Sequence, residues 1–387
     1  MKIRKYIWSI CLLVGLQVLQ AAEKPESDYL LIGSYAPAAS EGLVLYRLNQ
    51  ETAEVERVSG LAGILNPSFL TPNPEKGLVY VVGEGDTDAN STVHTVSLDE
   101  QTGTMQLVNT LPTLGASPCH VRLSPSGKYL ITANYNGGSL SLFSLDEKGC
   151  IHAREEVLKF EGKGPNKERQ EKSHLHYSIF SPDGNYLLAD DLGTDKVYSF
   201  PVHENAPYVQ QAERIDNPVR PGSGPRHLCF HPNGNWAYLI NELSGAVIFF
   251  TYQEEHLKEK QYVQADEVGA QGSADIHLSP DGRFLYASNR LQNDGIAIFS
   301  VSETTGELTK VAYQQTGRHP RNFMITPNGR FLLVACRDDN EVQIYERDLQ
   351  TGKLQDTKKR IRMSQPVCLQ LYIGNKFNSS KILHVIV

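Results

Sequence analysis

Hydrophobic and polar positions recur along this chain in one long pattern: an apolar strand, a Pro-x-x-Gly-type turn, a second apolar strand with a polar end, and a third strand. The pattern is complete five times, with a looser sixth copy at the start: 117–145, 174–200, 224–250, 273–301 and 319–348, then 66–85. The turn prolines of the six copies lie 47 to 57 residues apart: Pro74, Pro125, Pro182, Pro232, Pro280 and Pro327. A repeat near 50 residues that contains only strands predicts the blades of a β-propeller.

The two ends of the pattern carry complementary parts of one further blade. Residues 365–371 match a first strand with nothing after it, whereas residues 28–48 match second and third strands with nothing before them. Joining these parts closes the ring and removes exposed edge strands, which otherwise template aggregation. We therefore predict an all-β fold, a seven-bladed propeller with four antiparallel strands per blade, closed by residues 366–371 beside the strand near Tyr29 to Tyr35.

The repeat also collects distant residues at one mouth of the central channel, because a blade's first strand begins and its second strand ends there. Six residues before the turn prolines stand Ser68, Cys119, His176, Arg226, Ala274 and Arg321, with Val367 in the split blade. Ten residues after the prolines stand Glu84, Tyr135, Leu192, Glu242, Arg290 and Arg337. Several arginines with a histidine and a glutamate around one concavity favour an anionic ligand or a hydrolytic site.

Two polar connections are expected on the same side as this mouth. Residues 161–173 link two blades and residues 83–92 link two strands of one blade. Either connection could overhang the channel, although a solvated loop is the simpler interpretation of each.

Composition and charge exclude several other functions. The net charge is −7 and there is no basic block, which argues against nucleic acid as a partner. His174 and His176 alternate on one strand and could hold a metal, but no carboxylate or cysteine stands at a recognised metal-site spacing, so we expect no metal. No GxSxG motif is present, which disfavours covalent catalysis. The five cysteines after residue 22 are interpreted as mostly buried thiols.

Residues 1–22 have the pattern of a secretory signal peptide: a basic start, a short apolar segment and small residues at Ala21 and Ala22. Its removal takes away three positive charges and changes the net charge from −7 to −10. We predict a periplasmic or secreted protein with no membrane attachment after cleavage. It would consist of one propeller domain, residues 28–371, and a C-terminal extension, residues 372–387, of unassigned role.

Four segments resemble the signature stretches of the seven-bladed lactonase family. They read HLHYSIFSPDGNYL, GPRHLCFHPNGNWAYLINELS, SPDGRFLYASNR and HPRNFMITPNGRFLLVA. This family contains the propeller-type 6-phosphogluconolactonases and, more distantly, fungal carboxymuconate-lactonising enzymes. The resemblance places His176, Arg226 and Glu242 on catalytic positions and Arg290 and Arg321 on anion-binding positions. It also implies activity without a cofactor.

The sequence therefore predicts a monomeric hydrolase that opens a sugar lactone, similar to 6-phosphogluconolactone, to its aldonic acid. Either Glu242 or His176 serves as general base, Arg226 stabilises the oxyanion, and Arg290 with Arg321 grips a phosphate or carboxylate. Whether the lactone carries phosphate stays open. Two alternatives are a non-enzymatic secreted propeller that binds a carbohydrate or protein, and an isomerase that forms or opens a lactone.

Overall fold

The computed structural model describes residues 28–203, 208–253 and 256–374. These residues form 28 β-strands, arranged as seven four-stranded antiparallel sheets, and three short 3-10 helices. The prediction of a seven-bladed all-β propeller is confirmed. The predicted signal peptide, residues 1–22, lies outside the described residues, as do residues 375–387 of the predicted C-terminal extension.

Four strands make up each blade, and they follow one another from the channel outward. Blade 1 contains β28 (Pro366–Tyr372), β1 (Asp28–Ser34), β2 (Leu43–Leu48) and β3 (Val55–Leu61); blade 2 contains β4 (Leu70–Asn73), β5 (Leu78–Gly83), β6 (Thr92–Leu98) and β7 (Met105–Pro112); blade 3 contains β8 (Pro118–Leu123), β9 (Tyr129–Asn134), β10 (Ser139–Leu145) and β11 (Ile151–Lys159); blade 4 contains β12 (Leu175–Phe180), β13 (Tyr186–Asp191), β14 (Lys196–Pro201) and β15 (Ile215–Pro218). Blade 5 contains β16 (Pro225–Phe230), β17 (Trp236–Asn241), β18 (Ala246–Gln253) and β19 (His256–Gln264); blade 6 contains β20 (Ser273–Leu278), β21 (Phe284–Asn289), β22 (Gly295–Val301) and β23 (Leu308–Gln315); blade 7 contains β24 (Pro320–Ile325), β25 (Phe331–Cys336), β26 (Glu341–Arg347) and β27 (Leu354–Arg362). The 3-10 helices span Pro74–Lys76, Gln211–Glu213 and Arg337–Asp339.

The predicted closure of the ring is confirmed. In blade 1 the last strand, β28, pairs antiparallel with the first strand, β1, from Tyr29 opposite Tyr372 to Ser34 opposite Pro366. The closing strand thus ends one residue later than the predicted range. The innermost strands of neighbouring blades contact one another around the whole channel. No blade therefore presents an unpaired inner strand within the described chain.

The hydrophobic core is divided among the junctions between blades. Seven clusters of buried side chains each join two neighbouring sheets, and together they follow the ring. Because sheets cover both faces of the second strands, these strands are buried at nearly every position, as in β5 and β25, where every residue is buried. The outermost strands are mostly exposed or half-buried, as in β7. Blade packing therefore explains the continuous apolar runs of the repeat.

The turn of the repeat needs its glycine. Gly184, for example, has a φ of +75° and donates its N–H to the Ser181 carbonyl oxygen at 2.8 Å. A left-handed backbone of this kind is open to glycine at little cost. The Ser181 hydroxyl accepts from the backbone N–H of Tyr186 at 3.0 Å, which fixes the start of β13. Each such turn sets the register of the strand that carries site residues back to the mouth.

The cysteines agree with the sequence interpretation. Cys119, Cys229, Cys336 and Cys368 are buried, Cys150 is half-buried, and all five are free thiols.

Candidate active site

Six of the seven innermost strands carry an irregularity at the same mouth of the channel. In blade 4, Leu175 pairs with Asp191 and Tyr177 with Asp190, so His176 has no partner in the second strand. The innermost strands of blades 1, 3, 5, 6 and 7 have an unpaired residue in the same place. A β-bulge redirects the side chain of the extra residue. The residues in these bulges are Cys119, His176, Arg226, Ala274 with Asp275, Arg321 and Val367.

Glu242 follows the second strand of blade 5 and contacts three guanidinium groups. Its Oε2 atom lies 2.8 Å from Arg226 Nε and 3.1 Å from Arg290 Nη2, and its Oε1 atom lies 2.6 Å from Arg169 Nη2. Burial opposes ionisation, but the arginines hold the pKa of Glu242 far below its usual range. Glu242 is therefore an anion at neutral pH, and both of its oxygens are already bonded to guanidinium groups.

Arg226 is held on several sides and is only 1% exposed. Its Nη1 atom donates to the Ala274 carbonyl oxygen at 2.5 Å and to His227 Nε2 at 3.2 Å. His227 Nδ1 in turn lies 2.8 Å from Asp275 Oδ1. Burial lowers the pKa of His227 to about 4, so the ring is neutral near pH 7 and carries its proton on Nδ1. This arrangement fixes the plane of the Arg226 guanidinium.

Arg290 and Arg321 differ in whether their guanidinium groups form a salt bridge with a carboxylate of the protein. Arg290 donates from Nε to the Gly272 carbonyl oxygen at 2.7 Å and pairs with Glu242. The Arg321 guanidinium carbon lies 5.4 Å from the centre of the Tyr35 ring. Within the described part of the chain, the Arg321 guanidinium makes no salt bridge. Arg321 is thus the site arginine whose bonding capacity is left for a ligand.

His176 sits among these cations as a neutral imidazole. Its ring centre lies 5.2 Å from that of His227 and 5.7 Å from that of Tyr135. Burial, reinforced by Arg226, lowers the pKa of His176 well below its usual range. Its Nδ1 atom is buried and has no hydrogen-bond partner in the described residues. A buried polar atom without a partner is costly, so a hydrogen-bond donor that reached Nδ1 would stabilise the site.

The structure thus brings all five predicted site residues to one mouth, and it adds Arg169, which sequence reasoning did not select. Arg169 belongs to the connection 161–173, which does overhang the mouth. Its Nη2 atom reaches both Glu242 and the Tyr135 hydroxyl, the latter at 3.2 Å. Its side chain is 37% exposed, so it lies at the entrance. The only sequence signal was the position of this polar connection.

The alternating histidines His174 and His176 do not share a ligand position. His174 stacks on Tyr135 with ring centres 4.4 Å apart, and its Nε2 atom lies 3.2 Å from Glu171 Oε1. The bulge at His176 ends the simple alternation on which the idea of a shared metal rested. Over the described ranges, no group of three histidine, cysteine or acidic residues is placed to hold a metal ion.

A second polar pair, Glu84 and Tyr35, lies at the same mouth. The Tyr35 hydroxyl donates to Glu84 Oε1 at 3.3 Å. The sequence predicted that Glu84 lies at the mouth but indicated no role for it. Tyr35 does not stand six residues before or ten residues after a turn proline, so the repeat did not select it. His227 and Asp275 were also missed, since a residue that supports an arginine has no spacing of its own.

Comparison with known proteins agrees with the fold. The sequence model of the family described as "Lactonase, 7-bladed beta-propeller" matches residues 29–371. A 6-phosphogluconolactonase from Formosa agariphila is 37% identical, with 89% of this chain and 99% of that protein covered. This chain belongs to the seven-bladed β-propeller lactonase family.

Two solved structures are similar over almost the whole propeller. A Bacteroides fragilis protein, provisionally named as a 6-phosphogluconolactonase, is 49% identical with a TM-score of 0.85, covering 90% of this chain and 98% of that chain. The periplasmic gluconolactonase of Pseudomonas aeruginosa is 32% identical with a TM-score of 0.82, covering 90% of this chain and 99% of that chain.

Proposed function

We propose that this protein hydrolyses a sugar lactone to the open-chain aldonic acid at the mouth of the propeller channel. The observation that carries the proposal is a neutral, partly unbonded His176 beside a cluster of fixed guanidinium groups. Membership of the lactonase family supports it. So do the names of the relatives from Formosa agariphila and Pseudomonas aeruginosa, which are lactonases of gluconate derivatives.

His176 is assigned as the general base in preference to Glu242. Water attacks the lactone carbonyl carbon while a ring nitrogen of His176 takes its proton, and the carbonyl oxygen becomes an oxyanion. Glu242 is a poor acceptor because both of its oxygens are bonded to guanidinium groups. Its role is to hold Arg226 in place, and Arg226 stabilises the oxyanion. The carbon–oxygen bond of the ring then breaks, and the leaving oxygen takes up a proton.

The substrate is proposed to carry an anionic group. Four arginines meet at the mouth, whereas Glu242 is the one carboxylate that pairs with them directly in the described residues. Such an excess of cations is unusual in a protein whose net charge is −7. Arg321, which has no salt bridge within the described ranges, is assigned to the phosphate or carboxylate of the lactone, with Arg290 beside it.

The proposed site of action is the periplasm or the extracellular space. The proposal depends on residues 1–22 as a signal peptide, with 28–371 as the propeller domain and 372–387 as an extension, of which the first residue, Tyr372, belongs to the closing strand β28. The Pseudomonas aeruginosa relative is a periplasmic protein. Within the described residues, no helix has the length and apolar character that crossing a membrane requires. We expect a monomer that works without a cofactor.

The test is acid release by the purified protein, corrected for spontaneous opening, with sugar lactones that differ only in a phosphate group. We expect hydrolysis well above buffer, and Arg321→Ala to raise KM for the charged lactone more than for the neutral one. The surface variant Arg330→Ala is the matched control, since its side chain is 38% exposed and distant from the mouth. Rates equal to buffer for both lactones would favour the binding propeller instead.

A further inference from the structure

The mouth contains two glutamates in equivalent positions on nearly opposite sides of the channel. Glu84 follows β5 in blade 2, and Glu242 follows β17 in blade 5. Both are anchored through their backbones: Glu84 N–H donates to the Asn66 carbonyl oxygen at 3.1 Å, and Glu242 N–H to that of Gly224 at 2.8 Å. Two blades lie between them in one direction around the ring, and three blades lie between them in the other. A substrate at the mouth would therefore lie between two carboxyl groups.

The surroundings of the two carboxyl groups are opposite in character. Glu242 is saturated by its three guanidinium partners. Glu84 receives one hydrogen bond, from the Tyr35 hydroxyl to Oε1. Its Oε2 atom is buried and accepts no hydrogen bond of regular geometry in the described residues, and the Ser68 hydroxyl is the side-chain donor that interacts with this carboxyl group besides Tyr35. Glu84 thus has an oxygen outside any ion pair, whereas both oxygens of Glu242 are bonded to guanidinium groups.

The charged and titratable groups that act on Glu84 come from several blades. Burial raises the pKa of Glu84, and this effect exceeds the lowering caused by Arg321, Ser68, Tyr35 and Arg226. The buried thiol of Cys119 interacts with the same carboxyl group and is itself kept protonated by burial. A raised pKa means that Glu84 retains its proton to higher pH than an ordinary glutamate. Two carboxyl groups with opposite shifts in one pocket are typical of divided roles.

We propose that Glu84 is a further catalytic residue, the general acid that protonates the leaving ring oxygen. The inference rests on the proposed lactone hydrolysis. When the tetrahedral intermediate collapses, the bond between the carbonyl carbon and the ring oxygen breaks, and the proton of the Glu84 carboxyl group moves to that oxygen. Glu84 becomes a carboxylate beside Arg321, and His176 holds the proton taken from water. Transfer of that proton back to Glu84 through solvent restores the site, so atoms and charges balance.

The experiment compares Glu84→Gln with wild type in a pH series of lactone hydrolysis. General acid catalysis contributes about 10²- to 10⁴-fold, so we expect kcat to fall by about 10²-fold with little change in KM. In wild type, kcat should fall on the alkaline side as Glu84 loses its proton, and Glu84→Gln should abolish that limb. Glu56→Gln, on an exposed part of β3, is the matched control and should leave the profile unchanged.

A second variant separates proton donation from a structural effect. Tyr35→Phe keeps the carboxyl group but removes the hydrogen bond that favours its ionised form. The alkaline limb should therefore move to higher pH. The inference would be overturned by an unchanged alkaline limb in Tyr35→Phe or by full activity in Glu84→Gln. It would also be overturned if Glu84→Gln removed the fall of kcat on the acidic side of the pH profile and kept the fall on the alkaline side. Absence of lactone hydrolysis by wild type would contradict the proposed function itself, which distinguishes the two failures.

Discussion

The His227 imidazole and the Asp275 carboxylate form a buried pair, Nδ1 to Oδ1 at 2.8 Å, that joins blades 5 and 6 behind the site. The other oxygen, Oδ2, accepts from Asn322 Nδ2 at 2.5 Å and from the backbone N–H of Phe323 at 3.1 Å. Asn322 Oδ1 then accepts from the N–H of Leu369 at 2.7 Å. Hydrogen bonds therefore run through blades 5, 6, 7 and 1, and they support Arg226 from below.

Asp275→Asn should destabilise the propeller. The amide NH₂ group of asparagine would face N–H donors that the carboxylate now accepts from, such as those of His227 and Asn322. A hydrogen bond to a buried charged group contributes about 1.5–3 kcal/mol, and we expect a loss of that size. The free energy of unfolding in urea measures this loss. Asp281→Asn, at an exposed turn in the same blade, should cost less than about 1 kcal/mol. Equal small effects in both variants would mean that the network contributes little to stability.

Arg226→Lys should reduce kcat/KM by about 10²-fold, the usual effect of losing one oxyanion donor. Lysine keeps the charge but cannot contact Glu242, His227 and the Ala274 carbonyl oxygen from one planar group. The lactone assay measures the change, and far-UV circular dichroism checks that the fold is retained. Arg330→Lys is the control. Equal rates in the two variants would remove Arg226 from the mechanism.

Glu242→Gln should lower both turnover and stability, since Arg226 and Arg290 lose their shared counter-ion. Because the folded pKa of Glu242 is depressed, its stabilising contribution is present above about pH 4.3 and is lost as the pH falls below that value. We expect a deficit of about 3–5 kcal/mol at pH 7 that shrinks toward pH 3. Urea unfolding at several pH values measures it. A deficit independent of pH would contradict this electrostatic account.

Truncation tests the closing strand. Deleting residues from 366 onward removes β28 and exposes the edge of β1, so the protein should aggregate or melt at a much lower temperature. Deleting from 373 onward keeps Tyr372, whose hydroxyl donates to Glu100 Oε1 at 2.9 Å, and should be mild. Thermal melting and size-exclusion chromatography compare the two proteins. Similar behaviour of both truncations would show that β28 does not close the ring energetically.

Asp190→Asn should stabilise the protein at neutral and alkaline pH. Both carboxyl oxygens of Asp190 are buried and have no hydrogen-bond partner in the described residues, and burial raises its pKa well above the usual range. Below about pH 3.9 the wild-type side chain is neutral in both states and the two proteins should be alike. As the pH rises, wild type loses stability and the variant does not, with a difference of about 1–3 kcal/mol at pH 8. Thermal unfolding across pH measures it, and exposed Asp88→Asn should show no such trend.

The sequence alone determined the architecture and the mouth. A repeat near 50 residues, with prolines and glycines at fixed offsets, set the number of blades and the closure between the ends. The same offsets collected His176, Arg226, Glu242, Arg290 and Arg321, because each blade places equivalent positions at equivalent heights in the channel. These conclusions needed only local geometry, which is the same in every copy.

Only the tertiary structure decided what each of those side chains can do. The sequence left the general base open between Glu242 and His176, because both stood at the mouth as titratable groups. Three arginines from separate parts of the chain form salt bridges with Glu242, and one of them, Arg169, belongs to a connection between blades. Burial keeps His176 neutral. Glu84 accepts a hydrogen bond at Oε1, whereas its Oε2 atom is buried and accepts none of regular geometry in the described residues. Ionisation depends on the distances between charged groups and on the loss of water around them. The spacing of the repeat predicts neither quantity.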